Sequence, residues 1–197
     1  MSDLAPAVPN ESTRMTVERY LGLVESGALG PDDHVELLEG VVVAMTPQNP
    51  PHASGVARAD EVLRRGLGTM PAHVRPQLSL VLGRSVPEPD IAVVPGHVDD
   101  YVRAHPRTAL LVIEVADTSL LQDRLSKAAI YAAAGIPDYW IVNLRDELVE
   151  VMRDPAAAEA RYRQVRTAAR GEWLELVALP ACGVAVTELL PGAPRSR

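Results

Sequence analysis

The chain has 197 residues, of which 47% are hydrophobic and 23% charged; this is the length and make-up of one ordinary globular domain and excludes disordered, collagen-like and repeat architectures. A net charge of -7 and a pI near 5.2 oppose non-specific attraction to phosphate backbones, and two Trp and five Tyr with no Phe offer no evident base-stacking platform. No apolar run approaches the roughly 20 residues of a membrane span, the start MSDLAPAVPNESTR lacks the basic and apolar regions of a signal peptide, and the single Cys182 cannot form an internal disulfide, so a cytoplasmic protein that meets no membrane is expected.

Residues 1–14 show no periodic apolar pattern and are expected to be a loose leader, as are residues 191–197 at the other end, with one domain over 15–190. From Met15 to Ser26, Val17, Tyr20, Leu21 and Val24 recur at helical spacing and Gly27 follows as a stop. The stretch HVELLEGVVVAM, His34 to Met45, predicts a turn at Gly40 into a strand. His52 to Gly66 places Val56, Ala59 and Leu63 on one helical face. Gln77–Leu82, Asp90–Val94 and Leu110–Val115 are short apolar runs between Gly and Pro, the pattern of consecutive strands. Leu120 to Ala134 predicts a helix closed by Gly135 and Pro137. Strands follow at 139–144, 148–152, 162–165, 173–177 and 184–186. The alternation indicates an α/β fold, more closely an α+β mixed sheet with helices packed on it.

Nucleotide-binding, protease and zinc motifs are absent. Two carboxylates in strand-like segments remain to be explained, Asp90 in EPDIAVV and Glu114 in LLVIEVAD. An unpaired carboxylate inside so apolar a strand costs several kcal/mol, so Glu114 needs a partner, a proton, a metal ion, or a place at the strand end facing solvent. Asp90 alone is equally a turn residue after Pro89. If the two strands are neighbours about 4.8 Å apart, the carboxylates converge on one site, and two carboxylates with water suit Mg²⁺.

Of 19 basic residues, 18 are arginine, and Lys127 is the only lysine. A lone lysine in an arginine-rich chain suggests a site that wants a compact ammonium. Lys127 shares a helical face with Asp123 and Tyr131, four residues to either side, and its stem can carry the ammonium toward the strand end. The competing account is an ordinary Asp123–Lys127 helix pair worth about 0.3–0.5 kcal/mol.

Glu88-Pro89-Asp90-Ile91, Ile113-Glu114-Val115, Asp123-Arg124-Leu125-Ser126-Lys127 and Tyr131 through Val142, with Glu36–Gly40 and His52 as earlier blocks, resemble a large bacterial family of restriction-endonuclease-like proteins within the PD-(D/E)XK nuclease superfamily. The likeness covers about residues 15–190. It implies an αβββαβ core: helix 52–66, strands 77–82, 90–94 and 110–115, helix 120–134 and strand 139–144, with an extra N-terminal helix and strand and C-terminal strands. It also implies Asp90 and Glu114 as metal ligands, the Val115 backbone carbonyl as a third, and Lys127 as catalytic lysine. The superfamily's lysine two positions after the acidic ligand is here Ala116, and Lys127 on the helix stands in for it. Glu36, Glu39, His52 and Gln77 are supporting candidates for the same cleft, with His52 as readily a helix cap and Glu36 as readily an ordinary strand residue. Arg124 is the nearest candidate for a phosphate, with Arg75 and Arg84 as groove contacts. The implied activity is hydrolysis of a DNA phosphodiester with Mg²⁺, Mn²⁺ being possible in its place, and a homodimer is plausible because cutting two strands favours two sites. A non-catalytic module on a nuclease fold and a hydrolase of small phosphoesters stay open.

Overall fold

A computed structural model describes residues 14–117 and 119–192, so the expected leader and tail lie almost wholly outside the described residues. Helix α1, Val17–Glu25, starts where the Thr16 hydroxyl accepts from Arg19 N at 3.2 Å, an N-cap of about 1 kcal/mol. A hairpin follows, β1 Val35–Leu38 and β2 Val41–Ala44, rather than a turn into one strand. Its two-residue loop, Glu39 and Gly40, has φ of 49° and 78°, the pair of positive values that matches strand twist in a tight hairpin.

Helix α2 runs Pro50–Leu67, two residues longer at its start than expected. Asn49 caps it by accepting from His52 N at 3.0 Å, and the two prolines occupy the first turn, where no N–H is needed.

The central sheet holds β3 Ala72–Pro76, β4 Ile91–Pro95, β5 Leu111–Ala116, β6 Asp138–Asn143, β7 Leu148–Ala156 and β8 Arg161–Ala169, in that spatial order. Only β5 and β6 run parallel, and the crossover between them is helix α3, an α turn Leu120–Gln122, a π turn Asp123–Lys127 and an α segment Ala128–Ala133. A short antiparallel pair, β9 Trp173–Glu175 and β10 Gly183–Ala185, precedes the one-turn α4, Val186–Leu189.

One expected strand is wrong. Gln77–Leu82 is not a ladder strand; the first strand of the core is Ala72–Pro76. Pro76 ends the pairing with β4, and Gln77 turns the chain at φ 51°. Leu80, Val81 and Leu82 are nonetheless buried: the run is apolar because it packs under the hairpin, where Leu80 N donates to Pro87 O and Val81 N to Pro106 O.

Two layers of side chains cover the sheet. On one face Val56, Ala59 and Leu63 of α2 meet Val93, Ile113 and Val115, with Leu174, Val184 and Leu189 closing that side. On the other, Ala128, Tyr131 and Ala132 of α3 meet Ala92, Val112, Tyr139 and Ile141. Fully buried residues such as Leu63 and Ile113 each stabilise by about 1.5–3 kcal/mol. No helix among the described residues is long and apolar enough to cross a membrane.

Candidate active site

Strands β4 and β5 pair antiparallel through Ile91↔Ile113, so Asp90, one step outside that pair, faces Glu114 on the same side of the sheet. The two are neighbours through the backbone as well: Asp90 N donates to Glu114 Oε2 at 3.4 Å, and Val115 N donates to Asp90 Oδ2 at 2.8 Å. Glu114 does not face solvent; it is 3% exposed.

Helix α3 brings the rest. Lys127 Nζ donates to Glu114 Oε1 at 3.1 Å and lies 3.5 Å from Glu36 Oε1, and Tyr131 Oη donates to Glu114 Oε1 at 2.7 Å. The lysine therefore pairs across the cleft instead of along the helix, while Asp123 accepts from Ser119 Oγ at 2.6 Å. The π turn places Asp123 and Lys127 both on the buried side. Such turns recur at functional sites; the Asp123 carbonyl accepts both from Ala128 N across the widened turn and from Tyr139 Oη at 3.1 Å.

From the opposite face, His52 Nε2 stands 3.0 Å from Asp90 Oδ2. His52 approaches because Gly55, one turn later, lets α2 lie directly on β5. A Cβ at Gly55 would sit 2.7 Å from Val115 Cγ1.

Glu36, His52, Glu88, Asp90, Glu114, Asp123 and Lys127 together line a cleft of about 60 Å³. Glu88 and Ser119 received no role from the sequence. Glu88 lies two residues before Asp90, the spacing of one strand face, and its N–H donates to Glu36 Oε2 at 3.2 Å.

Three expected members stand elsewhere. Glu39 sits in the hairpin turn, exposed, accepting from Ser85 Oγ at 3.1 Å and near Arg84; turning at Gly40 takes it out of the strand alternation that sends Glu36 inward. Gln77 enters only through its backbone N–H, which donates to Asp90 O at 3.1 Å, since its left-handed backbone turns the side chain toward a different cavity. Arg124 points from α3 across to β7 and donates to Glu150 Oε2 at 2.8 Å, so it is not a cleft cation here.

Electrostatically the cleft holds more carboxylates than cations. Burial pushes the Glu114 carboxyl up to about 8; Lys127 opposes this, and Asp90, Asp123 and Glu36 reinforce it. Burial also raises Asp123. Burial alone would lower Lys127, but Glu114, Glu36 and Asp123 outweigh it and hold the ammonium above its ordinary range. The hydrogen bond to Asp90 raises His52. Burial leads the shifts of the two carboxyls, while Lys127 and His52 are raised by the carboxylates around them; each shift favours an added proton or cation in the cleft.

That excess, with hard oxygen donors, fits a divalent cation of the magnesium kind. Asp90 Oδ2 is taken by His52 and Val115, whereas Glu114 Oε2 carries one long hydrogen bond. Among the described residues no three His, Cys, Asp or Glu side chains form a ready-made metal cage; a pair of carboxylates is the number of protein ligands that Mg²⁺ commonly takes while keeping several waters.

A solved structure described as a putative nuclease belonging to DUF820, from Anabaena variabilis ATCC 29413, shares this fold with a TM-score of 0.68 over 89% of this chain and 97% of that one, at 14% identity. Among curated proteins none matches the chain. The sequence pattern of the Uma2 family, described as "Putative restriction endonuclease", matches residues 17–187, the span that carries both faces of the sheet and every residue of the cleft, and the chain belongs to that family.

Proposed function

We propose that the chain is a metal-dependent endonuclease that hydrolyses phosphodiester bonds of DNA, on the plan of the PD-(D/E)XK nucleases. The observation that supports this best is the meeting of Asp90, Glu114 and Lys127 at the ends of two adjacent strands, with Lys127 3.1 Å from Glu114 inside a buried, carboxylate-rich cleft. Asp90 and Glu114 would hold Mg²⁺ or Mn²⁺, with the Val115 carbonyl as a proposed further donor. A bound ion of this kind polarises a phosphoryl oxygen and lowers the pKa of its water.

The chain's own groups have distinct tasks. His52 and the Val115 N–H fix Asp90 through Oδ2. Tyr131 and Lys127 fix Glu114 through Oε1. The Lys127 ammonium, which its carboxylates hold above its ordinary range, would orient water and stabilise charge developing on the phosphoryl group. The small volume of the cleft favours one second reading, a hydrolase of a small phosphoester.

Supercoiled plasmid with Mg²⁺ tests the proposal. The parent is expected to nick it and a chelator to stop the reaction, while Asp90→Asn and Lys127→Met lower the rate by about 100-fold or more, as loss of one charge-stabilising group does. No nicking with either Mg²⁺ or Mn²⁺, or a Lys127→Met rate equal to the parent's, contradicts it. Turnover of a small model diester without nicking selects the second reading.

A further inference from the structure

Arg75 is a buried cation without a counter-ion. It is 8% exposed, and among the described residues its guanidinium makes no ion pair and no hydrogen bond, with Nε shut away from solvent. It lies over the Tyr101 ring, whose centroid is 5.5 Å from Cζ. Its terminal nitrogens are not shut away as Nε is, and Arg75 lines an open cavity, so the guanidinium can pair with an anion that enters it. His73, two residues earlier on the same strand face, tilts against the same ring at 5.5 Å. Both its nitrogens are buried without a hydrogen bond of good geometry, although the Gly96 backbone lies near.

The two side chains line a cavity of about 650 Å³ at the free edge of β3, together with Arg64 and His97 and with Asp99 as a carboxylate at its wall. Arg64 is already engaged, with Asp60 and with Val74 O. Arg75 is the charge left over. Its planar fork matches two oxygens of a phosphate.

Its position relative to the cleft names the source of that phosphate. Arg75 opposes Ala92 in the β3–β4 register, and Asp90 is two residues before Ala92. Arg75 and Asp90 are thus diagonal neighbours on one sheet face, about 7–8 Å apart along the backbone. The face itself is covered, Ala92 being fully buried, but β3 ends at Pro76 beside the start of β4; phosphates of one DNA strand recur every 3.4 Å along the helix axis, so a strand passing over these two strand ends brings a second phosphate to the pocket.

We propose that the Arg75 pocket is a phosphate subsite of the nucleic-acid substrate, taking a backbone phosphodiester about one or two nucleotides from the bond presented to the carboxylate cleft. This rests on the nuclease reading and adds to it the group that sets the strand's register.

Fluorescence anisotropy of a labelled 12-base-pair duplex, measured in Ca²⁺ across a salt series on the full chain, tests it. Arg75→Met is expected to weaken binding about tenfold and to lower the slope of log affinity against log salt by about one. The same variant is expected to melt as the parent does, because among the described residues the guanidinium makes no hydrogen bond or ion pair that the substitution would remove; a merely structural arginine would lower the melting temperature instead. Arg75→Lys keeps the charge and loses the fork, so it should keep the slope and weaken binding a few-fold, which also reads the pocket should Arg75→Met not fold. Equal affinity and slope for parent and variants overturns the proposal. If the plasmid is nicked and Arg75→Met binds like the parent, the subsite falls and the nuclease reading stands; if nothing is nicked and Arg75→Met still weakens duplex binding tenfold, the reverse holds.

Discussion

Glu114 shows what single residues reveal. In the sequence it is an acid in the most apolar strand, and the cost of burying it predicts partners; the structure supplies Lys127, Tyr131 and the Asp90 N–H. A carboxyl raised from its ordinary 4.5 to about 8 binds its proton more tightly in the folded chain than in the unfolded one. Its stabilising contribution is therefore complete below about pH 4.5 and is lost as the pH rises through about 8. His52, also raised, loses its contribution in the same direction at higher pH. In a chelator, the melting temperature of the parent should fall relative to that of Glu114→Gln between pH 5 and pH 8, leaving the variant the more stable at pH 8. A parent that gains on the variant over that range contradicts a carboxyl raised by burial and by its acidic neighbours. Asp123, Lys127 and Tyr131 were legible because helical spacing alone puts them on one face. Glu39, Gln77 and Arg124 were misplaced, because a positive φ at Glu39 and Gln77 and a buried carboxylate waiting on β7, Glu150, leave no mark in local spacing.

At the scale of elements, the site depends on how closely α2 approaches β5. Gly55 is inside a helix, where glycine costs about 1 kcal/mol against alanine, yet a side chain there meets Val115 at 2.7 Å. Gly55→Val should destabilise by about 1–3 kcal/mol, as overpacking does, and should lift His52 from Asp90. A lower urea midpoint together with a weaker nicking rate is expected; an unchanged midpoint would show that α2 yields without cost. The sequence predicts a regular helix over 120–134 and gives no sign of the π turn at Asp123–Lys127, since no residue there interrupts the helical pattern. Gln77–Leu82 reads as a strand in the sequence because apolar character and β propensity coincide there. The true first strand, AHVRP, carries His73 and Arg75 on one face and ends in proline, so its polar residues hid it.

Over the whole molecule, a net charge of -7 argues against broad attraction to DNA, and many exposed arginines are paired with carboxylates, as Arg161 is with Glu159 and Arg166 with Glu172. A mixed sheet with helices packed on it was readable from the order of apolar runs, whereas which face each helix covers and the partner of each strand were not, because register lies in the turns. What the fold accomplishes is to gather Glu36, Asp90, Glu114 and Asp123 around one lysine, and that concentration of acid is the property on which a cation-dependent site rests. Calorimetric titration with Mn²⁺ measures it directly: the parent should bind at one site, Asp90→Asn and Glu114→Gln should each lose most of that affinity, and Glu39→Gln, outside the cleft, should bind as the parent does. A parent that binds no Mn²⁺, or acid variants that bind it equally well, would contradict the account.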